Sequence, residues 1–150
     1  MRDATSNHAA PEGVAHQSLD SLLVGDLRQL LTEPSDVSTR CFLLVILQRL
    51  LTLERRRESP NWENSKAAAE MLDQSPHLDR RLAAAQFSGS SLYPLLRKLF
   101  DRILAGEDCG RVGDDIHSRL TAWTKQFETH QRDVDDLQHE AFSRDFGGES

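Results

Sequence analysis

From Ile116 to Ala141, core-type residues recur at Ile116, Leu120, Trp123, Phe127, Val134, Leu137 and Ala141, and the polar side chain that falls on the same stripe is His130. Steps that alternate four and three residues trace the seam of a long α-helix packed along its length. A chain that spends this much of itself on one helix must supply other helices, or a sheet, to cover the seam. An imidazole inside such a seam, with Asp135 five residues further on, is also what a metal-binding bundle draws from one of its helices.

The rest of the sequence offers helices and no strand pattern. Ser18 is a candidate N-cap for a first helix whose leucines at 19, 22, 23, 27, 30 and 31 share a face and which Pro34 ends. Ser35 and Asp36 can cap a second, expected to run to about Glu58 with Phe42, Leu43, Ile46, Leu47, Leu50 and Leu51 inward, until Ser59-Pro60 stops it. Asn61 to Phe87 carries a weaker signal, an Ala-rich stretch around Lys66 to Leu72 and then Ser75-Pro76 opening another short helical piece through Leu82 and Ala85, and reads as a connector. A third main helix is expected to begin near Ser90 or Ser91, with Pro94 in its first turn and Leu92, Leu95, Leu96, Leu99 and Ile103 on one side; Gly106 closes it. Asp114 or Asp115 then opens the last helix, where the dipole favours an anion. The expectation is an all-α, up-down-up-down four-helix bundle over residues 17–146. A flexible tail, 1–16, carries His8 and His16, and a short flexible end covers 147–150.

A chain of 150 residues is close to the usual size of one hydrophobic core. The net charge of −6 argues against nucleic acid or an anionic membrane as partner. The longest apolar run, Phe42 to Leu47, is too short to span a bilayer. The start lacks a charged-then-apolar leader and Cys41 and Cys109 show no close spacing, so a cytoplasmic setting is expected, with a disulfide between them left open. No nucleophile elbow, phosphate-binding glycine loop, CxxC pair or HExxH occurs, and the expectation is that the chain is not an enzyme.

The C-terminal segment runs Phe127-Glu128-Thr129-His130, then Asp135-Asp136-Leu137-Gln138-His139-Glu140-Ala141-Phe142 and Ser143-Arg144-Asp145-Phe146-Gly147-Gly148. It resembles the final helix and terminal turn of bacterial hemerythrin-like proteins of the HHE cation-binding type. The resemblance implies a four-helix bundle able to hold a non-haem di-iron centre, with His130 and Asp135 at the positions of the last helix's two ligands. Elsewhere the sequence departs from the family pattern. Asp26 stands where the first helix normally brings a histidine, Glu54-x-x-x-Glu58 replaces the second helix's His-x-x-x-Glu, and Gly89-Ser90-Ser91-Leu92-Tyr93 holds no strong ligand where the third helix brings its own.

The candidate metal ligands are therefore His130, Asp135, Glu54, Glu58 and Asp26. Two irons need roughly six or seven protein donors arriving from all four helices. Each candidate also has a plainer reading. His130 can be a buried histidine held by a neighbour, Asp135 a solvent-facing carboxylate, and Glu54 and Glu58 the flanks of a solvated Arg55–Arg57 face. His139, His77 and His117 read as outward-facing. The expected function is a binding or regulatory module, with a possible protein partner and without a cofactor. The alternative is a non-haem iron protein that binds oxygen or a related diatomic gas, or senses iron. On the first reading the ligand cage has given way to apolar packing or a small polar cluster, and His130→Leu is expected to be tolerated.

Overall fold

The computed structural model of the chain describes residues 18–34, 36–106 and 112–147, with side chains as far as Ser143 at the C-terminal end. The predicted tail with His8 and His16, Ser35, Cys109 and residues 148–150 lie outside the described residues. The described residues are helical, with no strand among them. Five α-helices follow in order: α1 Leu19–Leu30, α2 Val37–Arg55, α3 Lys66–Gln74, α4 Asp79–Leu104 and α5 Asp114–Gly147, with 3-10 turns at Trp62–Asn64 and Pro76–Leu78.

Local chemistry sets these boundaries. The Ser18 side chain accepts from the Ser21 amide and opens α1, while Asp36 accepts from the Thr39 amide at 2.9 Å and opens α2. The C-terminal carbonyl of α1 is met across the fold, since His117 Nε2 donates to the Leu31 carbonyl at 2.7 Å. His117 is thus half-buried with a defined task and not the outward-facing residue expected. α2 stops at Arg55, short of the expected Glu58. Gly106, at φ 74°, takes the left-handed conformation that closes α4 as expected.

The segment expected to be a connector is where the structure differs most. It holds α3 and the first turns of α4, which begins at Asp79 and runs unbroken through Ser90, so that Pro94 sits in the interior of the helix and not in its first turn. The reason is a stripe at Leu82, Ala85, Gly89, Leu92, Leu96, Leu99 and Ile103, again in alternating steps of three and four, in which six residues are buried and Gly89 is half-buried. Starting the helix near Ser90 or Ser91 divided it from the short helical piece through Leu82 and Ala85 that is its first half. Pro94 removes the amide that would meet the Ser90 carbonyl. Near it, Trp123 Nε1 donates to the Leu92 carbonyl at 2.7 Å and ties α4 to α5.

Helices α1 and α2 pack together, α2 meets α4, α4 lies along α5, and α5 returns to α1. Between them lies the larger apolar cluster, built around Leu27, Leu43, Leu47, Leu50, Leu96, Leu120 and Trp123. A smaller cluster of Ala68, Met71, Leu78, Leu82, Ala85, Val134 and Leu137 fills the other end, where α3 covers α4 and α5. On α2 the buried stripe is Thr39, Leu43, Leu47, Leu50 and Leu51, which turns Phe42 outward at 61% exposure, contrary to expectation. Leu19 and Leu22, expected on the inner face of α1, are also exposed. No helix among the described residues is long and apolar enough to cross a membrane.

Candidate functional site

The seams of α4 and α5 face each other, and at one level neither presents a hydrocarbon side chain. On α5, His130 stands between Phe127 of the larger cluster and Val134 of the smaller. On α4, Ser88 and Gly89 stand between Ala85 and Leu92. The gap is filled by a third segment. After α2 the chain crosses Ser59-Pro60 into the 3-10 turn Trp62–Asn64, whose Glu63 is only 2% exposed.

The turn is fastened on both sides. Ser65 donates to the Trp62 carbonyl at 2.6 Å and accepts from the Ala68 amide at 3.2 Å, capping α3, and Gln86 Nε2 of α4 donates to the Glu63 carbonyl at 2.9 Å. Glu63 then reaches His130, whose Nε2 lies 3.0 Å from its Oε2. The other ring nitrogen, Nδ1, lies 2.7 Å from Ser88 Oγ. Gly89 allows the approach: a Cβ there would sit 2.8 Å from Glu63 Oε2 and 2.9 Å from His130 Cε1. The same alternation that makes a leucine seam on either side thus needs a residue without a side chain at this step.

Donor and acceptor roles in the relay follow from chemistry. A carboxylate can only accept, so His130 carries a proton on Nε2 and donates it to Glu63. When the imidazole is neutral, Nδ1 accepts from the Ser88 hydroxyl. When it is protonated, Nδ1 donates, and the Ser88 hydroxyl turns to the Ala85 carbonyl at 3.2 Å. Burial pushes the Glu63 carboxyl up, but the hydrogen bond from His130, its own backbone amide and the positive charges of His130 and Arg57 outweigh that, leaving it below the ordinary 4.5.

Two clefts open beside His130. One, of about 220 Å³, is lined by Glu63 and His130 together with Asp20, Arg57, Tyr93 and Asp135. In it Arg57 is held by Glu54 at 3.1 Å and Asp20 at 3.6 Å, and the Tyr93 hydroxyl, whose ionisation burial strongly opposes, donates to Asp20 at 3.5 Å. The other, of about 420 Å³, has Ser88 and His130 in its wall together with Phe87, Ser91, Lys125 and Thr129.

The five residues nominated from the sequence are dispersed. His130 is buried at 6% exposure, while His139 is exposed. Asp26 is exposed on α1, and Glu58 is exposed beyond the end of α2. Glu54 is half-buried at that end and paired with Arg57. Asp135 is exposed, its carboxyl pushed up by partial burial and by the neighbouring Asp136. Among the described residues no three His, Cys, Asp or Glu side chains gather into a group that could hold a metal ion. Sequence reasoning missed Glu63 and Ser88. Glu63 lies in a turn with no periodicity, whereas Ser88 and Gly89 were findable from the three-four stripe of α4. Comparison of the chain with protein-family models, curated proteins and solved structures gives no match.

The buried pair reverses the expectation for His130→Leu. Removing His130 leaves the buried Glu63 carboxylate without its donor, a loss of about 3 kcal/mol or more. His130→Leu should therefore be strongly destabilising in chemical denaturation, and Glu63→Leu/His130→Leu together should recover most of the loss; two additive penalties would contradict the pairing. The depressed Glu63 carboxyl has a definite sign as well. Its ionised form is favoured by the fold, so its contribution is fully present above pH 4.5 and is lost as pH falls through the lower folded value. The stability difference between wild type and Glu63→Gln should be constant at neutral pH and shrink below that point, as measured by urea titration at a series of pH values.

Proposed function

We propose that this chain is a hemerythrin-like bundle that works without iron, as a binding or regulatory module for a protein partner. On this reading α1, α2, α4 and α5 are the four helices of an up-down-up-down bundle and α3 is an added flank. The observation that carries the proposal is the engagement of His130: both of its ring nitrogens already have protein partners, Glu63 and Ser88. A metal at that imidazole would have to displace one of them, and the carboxylates nominated to complete its shell lie apart, three of them at the surface. On this reading the buried carboxylate of Glu63 is met by the Nε2–H of His130 where an iron-holding bundle would use the cation.

The partner-binding half of the proposal is supported by apolar side chains that the core does not use. Leu19 and Leu22 of α1 and Phe42 and Val45 of α2 are 48–61% exposed, and Leu19 and Val45 line a common groove with Leu23 and Leu53. Acidic net charge favours a protein over a nucleic acid as the occupant of such a face.

Elemental analysis of protein purified from iron-supplemented cells, with thermal melts with and without a strong chelator, tests the iron-free reading. Iron well below one equivalent and a melt indifferent to chelator are expected. Stoichiometric iron with a melting temperature lowered by chelator would overturn it in favour of an iron-dependent bundle.

A further inference from the structure

Ser88, His130 and Glu63 are joined by two consecutive hydrogen bonds through the imidazole ring. Glu63 holds Nε2–H, which fixes the neutral imidazole in the tautomer whose free lone pair is on Nδ1, and Nδ1 faces the Ser88 hydroxyl at 2.7 Å. Nucleophile, base and orienting carboxylate are therefore in the relation that activates a serine, a constellation defined by geometry and roles and not by fold or chain order. Here the serine meets Nδ1 and the carboxylate Nε2. A second observation points the same way. The cleft of about 420 Å³ on the Ser88 side of the ring is flanked by Phe87, which is 78% exposed and packs in neither apolar cluster, and by the cationic Lys125.

We propose that Ser88 is a nucleophile activated by His130 and Glu63, acting on small esters with an aromatic or short apolar group, and that the Phe87–Lys125 cleft is where they bind. This goes beyond the binding role above and departs from the expectation that the chain is not an enzyme. Ser88 Oγ attacks the ester carbonyl carbon while its proton passes to His130 Nδ1, and the Glu63 carboxylate stabilises the imidazolium through Nε2–H. The backbone amides of an α-helix interior are committed to the helix, so charge on the carbonyl oxygen falls to a side chain of the cleft, and Lys125 is the cation there. The bond to the leaving oxygen breaks, the departing alcohol takes the proton from Nδ1, and acyl-Ser88 remains. Water adds to that acyl group by the same proton path, releasing a carboxylic acid and restoring Ser88. The sum is ester plus water giving acid plus alcohol, with no oxidant or further reactant.

Glu63 is a positioning residue in this scheme, Ser88 and His130 the catalytic ones. The test is a fluorophosphonate probe on the folded full chain, followed by peptide mass spectrometry, alongside p-nitrophenyl acetate hydrolysis. Covalent label on Ser88 is expected in folded protein and not after heat unfolding, with hydrolysis falling about 100-fold in Ser88→Ala that retains its helical circular dichroism. Glu63→Gln should lower kcat with little change in KM, and Glu63→Asp should recover part of it. Absence of label at Ser88 in folded wild type overturns the proposal whether or not the variants fold, and so does hydrolysis undiminished in Ser88→Ala.

Discussion

A carboxylate buried as deeply as Glu63 must be met by a donor, and the donor is His130 on the seam of the longest helix. Much of the architecture around that hydrogen bond follows from making it possible. The 3-10 turn after α2 has to be pinned against α4, which Gln86 does, and joined to α3, which Ser65 does. The α4 seam has to lose its side chain at one step, which Gly89 does. The second ring nitrogen has to find a partner, which is Ser88. Above and below this polar layer the two helices return to hydrocarbon, so the layer divides the apolar interior into two clusters and sets the register of α4 against α5. A shift of one turn would bring His130 against Ala85 or Leu92 and strand the Glu63 charge, a penalty that packing elsewhere is poorly placed to offset.

The same layer explains why so small a protein tolerates a charged group in its interior. Each partner alone would be a liability, whereas together, with the Ser88 hydroxyl taking or giving a proton as His130 requires, donors and acceptors are matched. Asp26, Glu58 and Asp135, nominated as ligands from the sequence, stand exposed and take no part in this layer.

What the sequence made legible was periodic. The α5 seam, the Ser18 and Asp36 caps, the closing Gly106 and the inward place of His130 follow from alternating three- and four-residue steps and from the capping preferences of short polar side chains. The failures were of two kinds. The helix was started near Ser90 or Ser91 with Pro94 in its first turn, yet tertiary packing carries α4 through this stretch, because six buried positions on one stripe outweigh one proline and one glycine whose small size the His130 contact needs. Phe42 was placed inward on hydrophobicity alone, although the buried stripe of α2 runs one residue further round. Glu63 was invisible for a deeper reason: its role depends on where a short turn is carried by the helices before and after it, and no local pattern encodes that.

Long-range proton–nitrogen NMR of the histidine rings near neutral pH bears most directly on the central place of the Glu63–His130 bond. The account predicts a slowly exchanging Nε2 proton on His130, lost in Glu63→Gln, with both ring nitrogens unmoved by one equivalent of Zn²⁺. A His130 ring that exchanges as fast as the exposed His139, or whose nitrogens shift on stoichiometric metal addition, would contradict it.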